Sequence, residues 1–263
     1  MDLGTGLAII GTGNLAKDLI MKLLGPTADY LGGEMKGYAE KGLHNLNNIF
    51  SRAIKRLGTK IDEPGRVPPK VLKSVLTDGY FCEDPLTAEY FAGVLAASRS
   101  EIERDDRGTT FAQLIGRLST YQIRTHYILY SLSKCVDWPL PFTPLSSQKG
   151  HEPRMYMSLN AYSAALGLAQ DENPLNTVAH SLHGLAREDL VFHIVYGEKE
   201  DLGLIQVESD GLVAGLSPLG VQFFCWAHGR SDIWDINDFL SPDTIFEILP
   251  EVEIPTQGFL GMH

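Results

Sequence analysis

Apolar residues recur along most of this chain at the three- and four-residue spacings of amphipathic helices, and the period changes to that of strands only near residue 190. Residues 13–24 (GNLAKDLIMKLL) set Leu15, Leu19, Ile20, Leu23 and Leu24 on one stripe, with Lys17, Asp18 and Lys22 elsewhere, and Gly25-Pro26 stops the helix. A second pattern runs from Thr27 to Leu57 and meets a stop at Gly58; glycines weaken its first half. Proline suits the first helical turn, so short helices are expected to open at Pro69 and, behind an Asp84 cap, at Pro85. The longest helical signal carries Phe111, Leu114, Ile115, Leu118, Tyr121, Ile128, Leu129 and Leu132, and Trp138-Pro139-Leu140-Pro141 ends it.

Prolines, Gly150 and serines crowd residues 139–154, which places a domain boundary near residue 150. Beyond it, helical text from Met155 to Leu185 gives way to the strand-like LVFHIVYG, then to GLIQVES, a turn at Asp210-Gly211, and LVAGL. Ser217 and Pro218 open a further helix. The pattern therefore predicts a mainly α protein. A helical, bundle-like domain (1–150) opens with a glycine-rich amphipathic segment, residues 1–24. A small winged-helix-like α+β domain (151–263) follows and carries an acidic C-terminal tail, whose apolar side is expected to dock on the domain.

Composition narrows the setting. A 44% apolar content suits a folded protein, and the formal net charge of −11 repels phosphate backbones, so nucleic acid is not an expected partner. Cys82, Cys135 and Cys225 are odd in number and show no CxxC spacing, which suits reduced thiols in the cytoplasm. Lys17, Asp18 and Lys22 interrupt the most hydrophobic N-terminal stretch, so neither a transmembrane helix nor a signal peptide is expected.

One motif points towards a cofactor. Gly11-x-Gly13-x-x-Ala16 follows an apolar run and precedes a helical pattern, close to the dinucleotide-binding fingerprint in which glycines let a pyrophosphate approach a helix N-terminus. The residues beyond it lack the second strand and its terminal acid, and the alternating strands of a parallel sheet do not follow. The glycines are better read as the lead into an amphipathic helix that packs on the core or on another subunit; a further reading lays residues 3–24 on a membrane surface.

The other candidates carry less. Ser131-x-x-Lys134 matches SxxK without its partner motifs, and His180 with His183 has metal-ligand spacing without a cluster around it. The run Glu101 to Arg107 reads as a solvated charged turn. A helix bearing His180, His183 and Arg187 would be the groove-entering element of a DNA-binding winged helix, but its wing would carry Glu198, Glu200 and Asp201 against Lys199. No catalytic residue, cofactor or metal is expected. Leu15, Leu19, Ile20 and Leu23, with His180, His183 and Arg187, are the expected interaction residues.

Several segments together suggest a family. LGPTADYLGGEMKGY (24–38), VPPKVLKSVL (67–76), DPLTAEYFAGVLAAS (84–98), REDLV (187–191) and LSPLGVQFF (216–224) resemble the Abi-alpha, or abortive-infection alpha, family of bacterial phage-defence proteins. The resemblance runs from about Gly25 to Gly229 and rests on packing and turn positions, among them Pro68-Pro69, Phe91-Ala92, Leu95 and Leu219-Gly220. It implies a bacterial abortive-infection protein that acts against phage, while well-formed helical stripes without catalytic markers lead to the expectation that it works through self-association or through a protein or phage partner. It supplies no catalytic residues.

Overall fold

The computed structural model describes residues 40–142, 153–202, 207, 209–249 and 252–262. About 52% of them are helical and a four-stranded antiparallel sheet accompanies the helices, so the protein is mainly α. Two compact units emerge: residues 1–117 with 225–231, and residues 118–224 with 232–263. The proline-rich stretch 139–154 falls within the second, and residues 143–152 of it lie outside the described residues.

The first unit contains α1 (Glu40–Leu57), a 3-10 turn (Gly58–Asp62), α2 (Pro69–Gly79), α3 (Pro85–Ala97) and α4 (Gly108–Arg117). The caps follow the sequence. Pro69 and Pro85 stand at first helical positions, and the Asp84 carboxylate accepts from the Thr87 N–H at 2.9 Å. α1 buries Leu46, Ile49, Phe50 and Ala53, whereas α3 is buried almost all round, from Leu86 through Tyr90, Phe91, Ala92, Val94 and Leu95. Gly93 is obligatory there, because a Cβ would sit 1.8 Å from the Ala227 carbonyl oxygen. Trp226 joins this core against Phe111, their ring centroids 4.9 Å apart.

The second unit begins with α5 (Thr120–Ser133), followed by β1 (Arg154–Ser158), α6 (Leu159–Leu166), α7 (Pro174–Arg187), β2 (Val191–Gly197) and β3 (Gly211–Leu216). α8 (Pro218–Ala227), α9 (Ile236–Leu240) and β4 (Phe259–Met262) complete the order, the unit boundary falling within α8. The strands lie in the order β2-β3-β1-β4, every neighbour antiparallel. α5 is the central helix, with Ile123, Tyr127, Ile128, Leu129, Tyr130 and Leu132 all buried.

The single long helix expected across 111–132 is in fact two. Ser119 accepts from the Gln122 N–H while the Gln122 side chain accepts from the Ser119 N–H, a reciprocal cap that starts a new helix. Helical text beginning at Met155 is likewise corrected: residues 154–158 form β1, paired on both edges, and Met155, Tyr156 and Met157, which alternate between the two faces, are all buried. Ser158 then ends the strand and caps α6. At the expected Asp210-Gly211 turn, Gly211 begins β3 opposite Ser158 and Gly197, where a Cβ would strike the Tyr156 ring. Most of GLIQVES lies outside the described residues.

Candidate functional site

α7 presents two different faces. Asn173 caps it and Pro174 begins it, and its inner side buries Val178, Ser181, Leu182 and Leu185. Two contacts fix this inner side. The Tyr162 hydroxyl bridges Thr125 Oγ1 at 2.9 Å and Ser181 Oγ at 3.2 Å, and burial raises its pKa above the usual phenol value. Gly184 lets the Gln122 amide lie where any side chain would stand. The helix stops at Arg187: the Leu190 N–H donates to the Leu185 carbonyl and the Asp189 N–H to the Ala186 carbonyl, with Asp189 left-handed at φ 56°. That closure directs the chain into β2.

The outer side carries Asn176, His180, His183 and Arg187, all exposed, along a stripe about 16 Å long at 1.5 Å per residue. Each cationic or imidazole group has its own neighbour. His180 Nε2 lies 2.8 Å from Ser119 Oγ, His183 Nε2 lies 3.1 Å from the Tyr196 hydroxyl on β2, and Arg187 Nε lies 3.4 Å from Glu188. The two histidines therefore turn to different partners, and among the described residues no group of three histidine, cysteine or acidic side chains could hold a metal ion. Beside the start of α7 the Tyr121 hydroxyl donates to Glu172, which holds that carboxyl below the ordinary range and pushes the phenol above its own.

β2 adds the second edge of this face. An irregularity between Phe192 and Val195 inserts an extra residue against β3, and His193 takes a left-handed φ of 46° there. Its ring and the Phe192 ring meet edge to face at 5.2 Å, and the Phe192 ring covers Gly215. The loop after β2 is acidic at Glu198, Glu200 and Asp201, and the Lys199 N–H donates to Asp210 at 3.1 Å. Tyr196 and Ser119 were not among the residues singled out by sequence. Only the fold brings them to α7, and the sole local hint was the Ser119-x-x-Gln122 capping pattern.

The other sequence candidates separate from this face or from one another. Lys134 of the SxxK match donates to the carbonyls of Phe239 and Ser241, the latter at 2.8 Å, and lies 5.4 Å above the Phe239 ring, so it clamps α9. In the charged turn, Asp105 takes a two-pronged contact from Arg107 that lowers its pKa, and Asp106 pairs with Lys70 at 2.9 Å. Gly11, Gly13, Ala16, Leu15, Leu19, Ile20 and Leu23 lie outside the described residues, as does the rest of segment 1–24. Among the described residues no helix is long and apolar enough to cross a membrane. Comparison with protein-family models, with curated proteins and with solved structures returns no match.

Proposed function

We propose that the chain is a non-enzymatic, Abi-alpha-like abortive-infection protein whose second unit is a winged-helix-like module that docks a protein partner through the outer side of α7. The observation that carries this reading is connectivity. A strand, two helices, then an antiparallel pair whose second strand returns to the first, β1-α6-α7-β2-β3 with β3 between β1 and β2, is the order of a winged helix, in which α7 is the presented helix. The first unit is read as a helical bundle around α3.

Charge favours a protein over nucleic acid as the partner. DNA-binding winged helices bring positive charge to phosphates, whereas this wing places Glu198, Glu200 and Asp201 beside one lysine, in a chain of net charge −11. The α7 stripe, with two imidazoles, an amide and one guanidinium, suits a polar protein surface. The defence role rests on the resemblance of residues 24–38, 67–76, 84–98, 187–191 and 216–224 to the abortive-infection family.

The test is phage challenge of bacteria expressing the chain, alone and with its genomic neighbours, comparing it with a His180→Ala, His183→Ala, Arg187→Glu variant. Protection that disappears in the variant, with the circular-dichroism spectrum and unfolding midpoint retained, is the expected result. Equal protection by the variant refutes the α7 face. DNA retention that weakens steeply with salt would replace the protein partner with nucleic acid.

A further inference from the structure

Away from α7, the second unit contains a cleft of about 580 Å³ between α6 and the segment 253–258. This size is within the usual range for ligand sites. Ala161, Ala164 and Ala165, at i, i+3 and i+4 on the same side of α6, make its floor, and Ile254 with Pro255 makes an apolar wall. The segment opposite is held at both ends. Val252 is buried, the Ser158 N–H donates to the Gly258 carbonyl at 2.7 Å, and Phe259 then pairs with Met157 in the sheet. Gly258 sits at φ 78°, and a Cβ added there would lie 2.8 Å from Ser158 Oγ. The cleft is thus built into the sheet.

Its polar equipment is uncommitted. Asn160, Thr256, Gln257 and Glu253 line the cleft, and among the described residues none of their side chains takes part in a hydrogen bond or ion pair. Among the described residues Glu253 is the one charged group in the lining. An anion entering would meet that carboxylate inside a protein of net charge −11, and a wholly apolar ligand would leave the amides and carboxylate unpaired. A lysine or arginine side chain satisfies both parts: its methylene stem covers an alanine floor while its charged head reaches a carboxylate and amide oxygens.

We propose that this cleft is a binding site for a basic side chain carried on an extended segment of a partner protein, with Glu253 as the charge-reading residue and Ala161 and Ala164 as the floor. The proposal does not depend on the α7 face, and the two sites can fail separately.

The experiment is titration of the full chain with the peptide Gly-Arg-Gly-Lys-Gly, blocked at both ends, followed by calorimetry and by amide chemical shifts of residues 158–165 and 253–258. Expected are saturable shifts confined to those residues, binding about tenfold weaker for Glu253→Gln from loss of the charge-assisted bond, and loss of binding for Ala164→Phe, which fills the floor. Both positions are exposed, and circular dichroism verifies that the variants fold. Equal binding of Gly-Gln-Gly-Gln-Gly, an unchanged affinity in Glu253→Gln, or no saturable binding of the basic peptide overturns the proposal. Free arginine amide binding as tightly as the peptide overturns its protein-partner part.

Discussion

The Tyr130 hydroxyl donates to the Leu190 carbonyl at 2.6 Å, while the Ser217 N–H donates to that same hydroxyl at 3.0 Å. One phenol on α5 thereby ties the exit of α7 to the start of α8. It also explains Gly220, where a Cβ would lie 2.0 Å from the phenol oxygen and 2.3 Å from the Leu190 carbonyl oxygen. Replacing Tyr130 by Phe leaves a buried N–H and a buried C=O without this partner, so the variant should lose about 2–3 kcal/mol in urea unfolding. Gly220→Ala should be at least as damaging, since backbone rather than a flexible side chain blocks the added methyl.

Lys134 provides a test that separates structure from chemistry. Its ammonium group bonds the carbonyls of Phe239 and Ser241 and faces the Phe239 and Phe246 rings. Lys134→Met should leave the bulk of the fold in place but speed amide exchange across residues 236–249 by about tenfold, near the effect of one charge-assisted hydrogen bond. Ser131→Ala should change nothing in the same measurement. An equal effect from both variants would mean that the two residues act as a pair.

Helices were the legible part of this chain because their starts are written locally. Asp84-Pro85, Pro69 and Ser217-Pro218 each announce a helix start, and each stands where its helix begins. The strands were harder for a physical reason. β2 and β3 are β-branched and readable, but β1 is RMYMS, buried on both sides and so without alternation, and its methionines suit a helix equally well. β4 is only four residues long and exists through its pairing with β1. The α7 stripe was visible as His180, His183 and Arg187, whereas Tyr196 and Ser119 reach it only through tertiary contacts, and the cleft of residues 253–258 left no trace in any local pattern.

The cysteines should react unequally. Cys82 is partly buried, and desolvation followed by the nearby Asp84 carboxylate pushes its thiol up to about 12, whereas Cys135 is exposed and Cys225 buried. At pH 8 the Cys82 thiolate fraction is then about a thousandfold below that of an ordinary thiol. Brief treatment of the native protein with iodoacetamide should therefore label Cys135 and spare the other two, as peptide mass mapping would reveal. The sign for stability follows: because the folded pKa lies above the unfolded one, the folded chain holds its proton longer, and stability contributed by this site declines as pH climbs from about 9 towards 12. Rapid labelling of Cys82 at pH 8 would mean that the segment around it opens readily.

Glu89 offers the strongest electrostatic prediction. On α3, only 8% exposed, it is gripped by Arg52 and Arg56 of α1, one guanidinium on each carboxylate oxygen, and Arg52 Nε also reaches Asn48 at 2.9 Å. Two arginines four residues apart on one helix face share a single counter-charge, so their mutual repulsion is tolerated only while Glu89 remains. Glu89→Ala should cost about 3 kcal/mol, because it abandons two poorly solvated cations rather than removing one favourable pair. Glu89→Leu combined with Arg52→Met and Arg56→Met should recover most of that loss, since an apolar triad carries no desolvation penalty. Urea midpoints of the single and triple variants decide the matter. A triple variant no more stable than Glu89→Ala would show that the arginine stems, and not the charge imbalance, hold α1 to α3.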